Sequence, residues 1–319
     1  MTFRRHRSSI VAIVGLVLLI AFYWYQQPLI LSEFGIRTLS NQGTTLALAA
    51  MAQLIVVLTG GVDLSIGAIV GLSNAIAATY MGTSPVGATA VLVLTLVAGT
   101  AAGLVNGIVV AYGRIQPIIV TLATLYIYSG FALIIRPEPG GEVPRFYAHG
   151  LTGSWGYLPF SIVTLLVVVG LVWLPIMRSR VGPAIYAIGD NPGGAHMSGI
   201  NVNRTLLFAY AAAGLLAACS GLFLTAQTTS GDATIGTTYT LNSVAAVVFG
   251  GAVLGGGRGV ALGPIFAAYF ISIIISVLFA SGVSPFYQNV FEGGILILVL
   301  AFGNLWTLRT RNWLTLLRN

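Results

Sequence analysis

The side chains able to do chemistry are few and thinly spread in this 319-residue chain. The seven carboxylates are Glu33, Asp63, Glu138, Glu142, Asp190, Asp232 and Glu292; the histidines are His6, His149 and His196; the one cysteine is Cys219; and all fourteen basic residues are arginine. Without lysine there is neither a phosphate-loop lysine nor a Schiff base, so the chain does not hydrolyse ATP by the usual route on its own. The histidines have no ligand spacing and Cys219 lies in an apolar run, which leaves metal chemistry unsupported and gives Cys219 a packing role. Gly71-Leu72-Ser73-Asn74-Ala75 has the outline of a serine elbow, but no histidine occupies an apolar segment to serve as its base. Asp63 has no facing acidic partner for an aspartyl dyad. A proton- or ion-coupled carrier needs titratable groups at mid-membrane, and only Glu292 lies well inside an apolar segment. Asp63 itself stands in Thr59-Gly60-Gly61-Val62-Asp63-Leu64-Ser65-Ile66-Gly67, between two apolar runs.

The elements that must position these residues are membrane helices. The chain is 57% hydrophobic and 7% charged, with a mean hydropathy of +0.94, where soluble domains carry roughly 25% charge. A crossing helix needs about 20 apolar residues, and divisions at glycine, proline and charge give ten spans: about 9–30, 38–59, 64–82, 86–112, 116–135, 159–177, 205–227, 239–256, 259–280 and 286–306. The basic start followed by Ile10–Tyr25 looks like a signal peptide but lacks a small-residue cleavage site, so it reads as a retained first helix. With both termini cytoplasmic, eleven arginines fall inside and only Arg37, Arg136 and Arg145 outside, as the positive-inside rule expects. The net charge of +7 is then a topology signal rather than a nucleic-acid footprint. The fold expected is an all-α integral membrane protein forming one domain over 1–319, with an outward loop at 136–158 and a cytoplasmic loop at 178–204.

Within that frame Asp63 has two compatible readings. Gly60 and Gly61 end one helix and Asp63 or Ser65 caps the next, or the stretch is a break in a discontinuous helix of a transport pathway. Gly251, Gly255, Gly259 and Gly263, spaced by four, suit close helix packing, although the cluster around Arg258 also falls at an expected cytoplasmic turn. Gln53, Asn74, Asn106 and Asn242 place amides in apolar spans, where each must either bond a neighbouring helix or line a wet cavity. The loop from Arg178 to Arg204 is long for a connector, which suits either a docking surface or an interfacial helix.

Four stretches, in this order, resemble the permease subunits of bacterial ATP-binding-cassette importers for ribose, xylose, galactose and related monosaccharides: TGGVDLSIGAIVGL (59–72), RIQPIIVTLATL (114–125), YAIGDN…SGINV (186–202) and LNSVAAVVFGGAVLGGGRG (241–259). The resemblance implies a permease in the inner membrane, paired with a second permease subunit, a cytoplasmic ATPase carrying the ATP and magnesium, and a periplasmic sugar-binding protein; the chain itself would hold no cofactor and would not be an enzyme. It makes Tyr186, Ala187, Gly189, Asn191, Ser198, Gly199 and Ile200 the ATPase-coupling positions, and Gly60, Gly61, Asp63 and Ser65 a hinge near the cytoplasmic gate. Asp190-Asn191-Pro192-Gly193-Gly194 departs from the alanine-rich helix common in relatives, so a shorter or later coupling helix is expected. Gln53, Asn74, Asn106 and Asn242 are the candidates for lining a neutral sugar's path. Arg136 and Arg145, flanking Glu138 and Glu142, are the candidates for docking the binding protein. The alternatives left are a permease of the same architecture for another small solute (a vitamin, a quorum signal, a nucleoside), an exporter, or a stand-alone carrier.

Overall fold

The computed structural model describes residues 7–283 together with 287, 290, 293, 294 and 297. The tenth expected span and Glu292 lie outside the described residues. The described chain is almost entirely helical because lipid offers no partner for a free backbone N–H or C=O, and a helix satisfies both within the segment. The helices are α1 (Arg7–Gln26), α2 (Glu33–Leu58), α3 (Ile66–Tyr80), α4 (Pro85–Gly113), α5 (Pro117–Ile135), α6 (Arg145–Thr152), α7 (Phe160–Arg178), α8 (Val181–Asp190), α9 (Pro192–Met197), α10 (Val202–Thr228), α11 (Thr237–Phe249) and α12 (Leu262–Ala280). A 3-10 turn at Pro28–Leu31 joins α1 to α2, and a hairpin of β1 (Ser154–Trp155) and β2 (Leu158–Pro159) precedes α7.

Local sequence sets the helix ends. Pro85, Pro117 and Pro192 occupy first-turn positions, where a missing N–H leaves nothing unsatisfied. Ser32 caps α2 by accepting from the Gly35 N–H at 3.2 Å, and Asn201 caps α10 by accepting from the Arg204 N–H at 3.0 Å. Inside α7, Val169–Trp173 widens into a π turn just before Pro175, which cannot donate its backbone bond.

Among the described residues six helices are long and apolar enough to cross a membrane: α2, α4, α5, α7, α10 and α12. The expected third and eighth spans are shorter than the sequence suggested. α3 has 15 residues and α11 has 13, about 22 and 20 Å of helix against a hydrocarbon core of about 30 Å. α3 is bounded by the 59–65 turn and by Met81 and Gly82, and α11 stops at the irregular stretch that begins at Gly250; a non-helical segment, 229–236, leaves the end of α10 and runs along α3 before α11 begins. It lies so close that a Cβ on Gly71 would sit 3.0 Å from the Ala233 carbonyl and one on Gly236 would strike the Gly67 carbonyl.

The glycines at 251, 255, 259 and 263 do not share a helix face, a correction to the packing expectation. Residues 250–261 form an irregular return between α11 and α12, and Gly251, Gly256 and Gly257 have φ of +90°, +89° and +67°, a region glycine alone enters without strain. The small-residue seam is on α4, where Gly99, Gly103 and Gly107 face α10: a Cβ on Gly103 would strike the Tyr210 carbonyl and meet Gly214 Cα at 3.0 Å.

The core is built from α2, α3 and α10, buried along most of their lengths, with α1, α4, α5 and α7 outside them. The outer helices expose large apolar side chains such as Ile134 and Leu171, the pattern of a protein whose solvent is lipid. The bundle has two distinct ends. At one, Asn41 of α2 donates to the Thr152 carbonyl at 2.9 Å, and the Glu142 N–H bonds the Ala78 carbonyl at 3.1 Å. At the other, the last turn of α2 meets α8 and the glycine-rich return.

Candidate functional site

The turn from Thr59 to Ser65 reverses the chain between α2 and α3. Gly60, at φ +88°, makes the reversal without a Cβ penalty. Asp63 is 1% exposed, and its Oδ1 accepts from the Ser65 N–H at 2.8 Å and from the Ser65 hydroxyl at 2.6 Å. Ser65 is the N-cap residue of α3 and makes no side-chain cap bond, so Asp63 closes an Asx-type turn ahead of the helix rather than capping its later N–H groups.

Three neighbouring helices hold this turn. From α4, Asn106 Nδ2 donates to Ser65 Oγ at 2.8 Å. From α5, the Tyr128 hydroxyl donates to Asn106 Oδ1 at 3.2 Å and to the Ala102 carbonyl at 2.8 Å, fixing the amide. Thr121 Oγ1, also on α5, accepts from the Leu64 N–H at 3.1 Å and donates to the Val62 carbonyl at 3.3 Å. From α2, the Gln53 amide, oriented so that both ends are satisfied, donates to the Asp63 carbonyl at 2.8 Å and accepts from its N–H at 3.1 Å. A buried carboxylate is tolerable when it is hydrogen-bonded and stands at a helix N-terminus, and both conditions hold for Asp63.

Immediately beside the turn, three backbones touch through glycines. A Cβ on Gly189 of α8 would strike the Leu58 carbonyl and the Gly257 N–H, and would lie 3.0 Å from Gly256 Cα. A Cβ on Gly256 would lie 2.7 Å from Gly189 Cα and 2.8 Å from the Gly60 N–H. The Gly257 N–H bonds the Leu58 carbonyl at 3.0 Å, and the Tyr186 hydroxyl donates to the Gly259 carbonyl at 2.8 Å. Gly61 leaves room for Tyr210 of α10: its Cβ would stand 2.9 Å from the Tyr210 hydroxyl and 3.3 Å from Pro117 Cβ. The four stretches 59–72, 114–125, 186–202 and 241–259, far apart in sequence, therefore meet at one end of the bundle.

The 178–204 loop is ordered as two short helices. α8 ends at Asp190 because Asn191 turns to φ −157°, ψ 101° and its Oδ1 caps α9 by accepting from the Gly194 N–H at 3.0 Å. Pro192 thus opens a second helix of six residues, after a first that stops at Asp190. Gly199, at φ +81°, ends α9, while the Ile200 N–H closes back on the Ala195 carbonyl at 3.0 Å. Ala187 is half-buried, whereas Asn191, Ser198, Gly199 and above all Met197, at 91% exposure, project from the fold.

Gln53, Asn74 and Asn106 have their bonding capacity taken up inside the protein. Asn74 reaches furthest: its Nδ2 donates to Thr225 Oγ1 at 2.9 Å and to the Ser230 carbonyl at 3.0 Å, and its Oδ1 accepts from the Asp232 N–H at 2.8 Å. It satisfies the Ser230 carbonyl and the Asp232 N–H of the non-helical 229–236 segment, which no helix ladder serves. Asn242 is 6% exposed on α11. At the opposite end Glu138, Glu142 and Arg145 are exposed, and Arg136 is half-buried with its Nε lacking a partner. Among the described residues none of these four forms an ion pair with another. The loop carrying them is pinned to the bundle by paired bonds between Gly140 and Gly231, at 2.9 and 2.6 Å. Thr121, Tyr128 and Tyr210 were not singled out from the sequence, since hydroxyls at helical spacing in apolar runs give no sign of which turn they meet.

The comparisons with known proteins agree with this picture. Residues 35–300 match the family described as the permease component of the branched-chain amino acid transport system. The ribose import permease protein RbsC of Escherichia coli (strain K12) is 31% identical over 300 residues, 92% of each chain, and that of Bacillus subtilis (strain 168) is 33% identical over 292 residues, 90% of each. The galactose/methyl galactoside import permease protein MglC of Salmonella typhimurium (strain LT2) is 31% identical over 313 residues, covering 92% of this chain and 93% of its own. No solved structure gives a significant match. Permease components of such importers generally work with a separate ATPase subunit and a substrate-binding protein, and the ATPase activity lies in the former. With its apolar bundle and a match spanning most of its length, the chain is a multi-pass membrane protein belonging to the family of transport-system permease components, a permease rather than an enzyme.

Proposed function

We propose that this chain passes a monosaccharide from a periplasmic binding protein to the cytoplasm, driven by ATP hydrolysis in a partner subunit and working beside a second permease subunit in a bacterial inner membrane. The printed names of the relatives, ribose and galactose import permeases, support the substrate class. The observation that carries the mechanism is the backbone contact of Gly189 with Leu58, Gly256 and Gly257. On this reading residues 1–319 form one domain of ten crossings with both termini cytoplasmic. α8 and α9 then face the ATPase, the arginine-rich side of the chain is the cytoplasmic one, and the loop at 136–158 faces the binding protein.

The coupling follows from stiffness. Met197 and its exposed neighbours offer a surface to the ATPase, and a shift of α8–α9 reaches the 59–65 turn because touching backbones leave no compressible side chain between them. The turn is the N-terminal lead of α3, and α3 packs on the 229–236 segment, which is held by Asn74 and by the paired Gly140–Gly231 bonds rather than by a helical ladder. Asp63 serves as a neutral-solute hinge: its charge is used to hold Ser65 and faces no path. The chain holds no nucleotide; ATP and magnesium belong to the partner.

Reconstitution of the chain with its ATPase and binding protein in proteoliposomes tests the reading. It predicts ribose- or galactose-class sugar uptake that depends on ATP and on both partners. Uptake independent of the ATPase, or sugar-insensitive hydrolysis in a fully assembled complex, would overturn it.

A further inference from the structure

At the end of the bundle opposite the glycine contact, α2, α6 and the last turn of α10 border an open cleft of about 510 Å³ lined by Arg37, Asn41, Gln42, Arg145, His149 and Gln227 among others. Its chemistry is unusual for a neutral conduit. Two guanidiniums border it, no carboxylate lines it, and among the described residues neither arginine is in an ion pair. Arg37 rests over the Phe34 ring at 5.3 Å, and His149 meets Phe160 edge-on at 6.2 Å. The carboxylates nearest along the chain are Glu142, three residues before Arg145 and exposed, and Glu33, one helical turn before Arg37; Glu33 Oε1 accepts a long 3.5 Å bond from Ser154 Oγ.

The uncharged groups make a complementary demand. Asn41 gives its Nδ2 to the Thr152 carbonyl, but its Oδ1 is buried and without a partner. Gln42 and Gln227 accept through Oε1, from Ser276 at 2.8 Å and Thr45 at 3.0 Å, so their amide nitrogens remain as donors. The cleft therefore asks for an anion for the guanidiniums and for hydroxyl groups that can both donate, to Asn41, and accept, from the glutamines. An acidic side chain of a docking protein offers acceptors only and leaves Asn41 Oδ1 unserved. A neutral sugar serves the amides and leaves two unpaired guanidiniums.

We propose that this cleft is a receiving site for a sugar acid, an aldonate or uronate, with its carboxylate between Arg37 and Arg145 and its hydroxyls on Asn41, Gln42 and Gln227. The proposal rests on the sugar-import reading and narrows its substrate class. Binding to the full-length chain in lipid nanodiscs tests it by titration with D-galacturonate, D-ribonate, D-galactose, D-ribose and acetate. The sugar acids are expected to bind about tenfold or more tightly than the neutral sugars and acetate, with Arg37→Gln and Arg145→Gln each abolishing that preference and Asn41→Leu weakening sugar acids but not acetate. Thermal melts of the unliganded variants separate loss of folding from loss of binding, and two independent arginines keep the result readable if one variant fails. Equal affinity for neutral and acidic sugars, or retention of the preference in both arginine variants, overturns the proposal. So does an outcome in which no sugar acid binds and the arginine variants lose only binding-protein docking. If neutral sugar still drives ATP-dependent uptake in proteoliposomes while the cleft shows no acid preference, the import reading stands and this one falls.

Discussion

Replacing Gly189 by alanine inserts one methyl group into the contact that carries the proposed coupling. Its Cβ would collide with the Leu58 carbonyl oxygen and the Gly257 N–H and stand 3.0 Å from Gly256 Cα, all backbone atoms that no rotamer change can clear. α8 must therefore retreat, and the 3.0 Å bond from the Gly257 N–H to the Leu58 carbonyl lengthens or breaks. Losing that bond costs about 1 kcal/mol and repacking an overfilled contact about 1–3 kcal/mol, together about 2–4 kcal/mol. If even about 1.4 kcal/mol of this weakens the link between α8 and the 59–65 turn, the coupled population changes about tenfold. In proteoliposomes with both partners, Gly189→Ala should lower sugar uptake per ATP hydrolysed about tenfold while hydrolysis continues. Gly193→Ala is the control, because its Cβ would meet nothing nearer than Asn191 Oδ1 at 3.4 Å. A Gly189→Ala complex with the wild-type uptake-to-hydrolysis ratio would refute the reasoning.

Asp63→Asn keeps an Oδ1 acceptor for Ser65 but removes the charge, so it should cost about 1 kcal/mol of stability with transport retained; abolished transport in a well-assembled complex would mean that the charge itself works in the cycle. Asn74→Ala removes three bonds and leaves the Asp232 N–H unserved, while the Ser230 carbonyl keeps its 2.8 Å bond from Thr228 Oγ1, a loss of about 2–4 kcal/mol expected as a lower melting temperature in detergent. Grafting a relative's alanine-rich helix over 190–197 erases the Asn191 cap and the break between α8 and α9, and should relax the choice of ATPase partner; unchanged partner preference and coupling would reject a selective role for the break.

Much of the bundle is legible in the sequence because long apolar runs report membrane helices directly. The expected spans at 86–112, 116–135 and 159–177 coincide within about a residue with α4, α5 and α7. The shortness of α11 was not legible, because its apolar character continues into 250–261, where positive-φ glycines replace the helix, and the 229–236 segment before it is held by a distant side chain: Asn74 lies 156 and 158 residues from its partners Ser230 and Asp232. The same distance problem hides what the amides do, since an asparagine in an apolar run looks alike whether it lines water or clamps a turn. Glycine spacing misled at 251–263, where φ rather than helix packing set the need, while Gly99, Gly103 and Gly107 carried the packing signal unread. The residues proposed for coupling and for the turn stand out through the order of four stretches, and their mutual contact came only with the fold.

Hydrogen exchange on the assembled complex, with and without ATP, tests most directly whether the coupling segment moves the turn. If the glycine contact transmits motion, segments 56–66, 181–190 and 253–259 should change protection together on ATP addition, and the Gly257 N–H, bonded to Leu58, should change with them. A change confined to 181–199, with 56–66 and 253–259 unaltered while transport proceeds, would contradict the account.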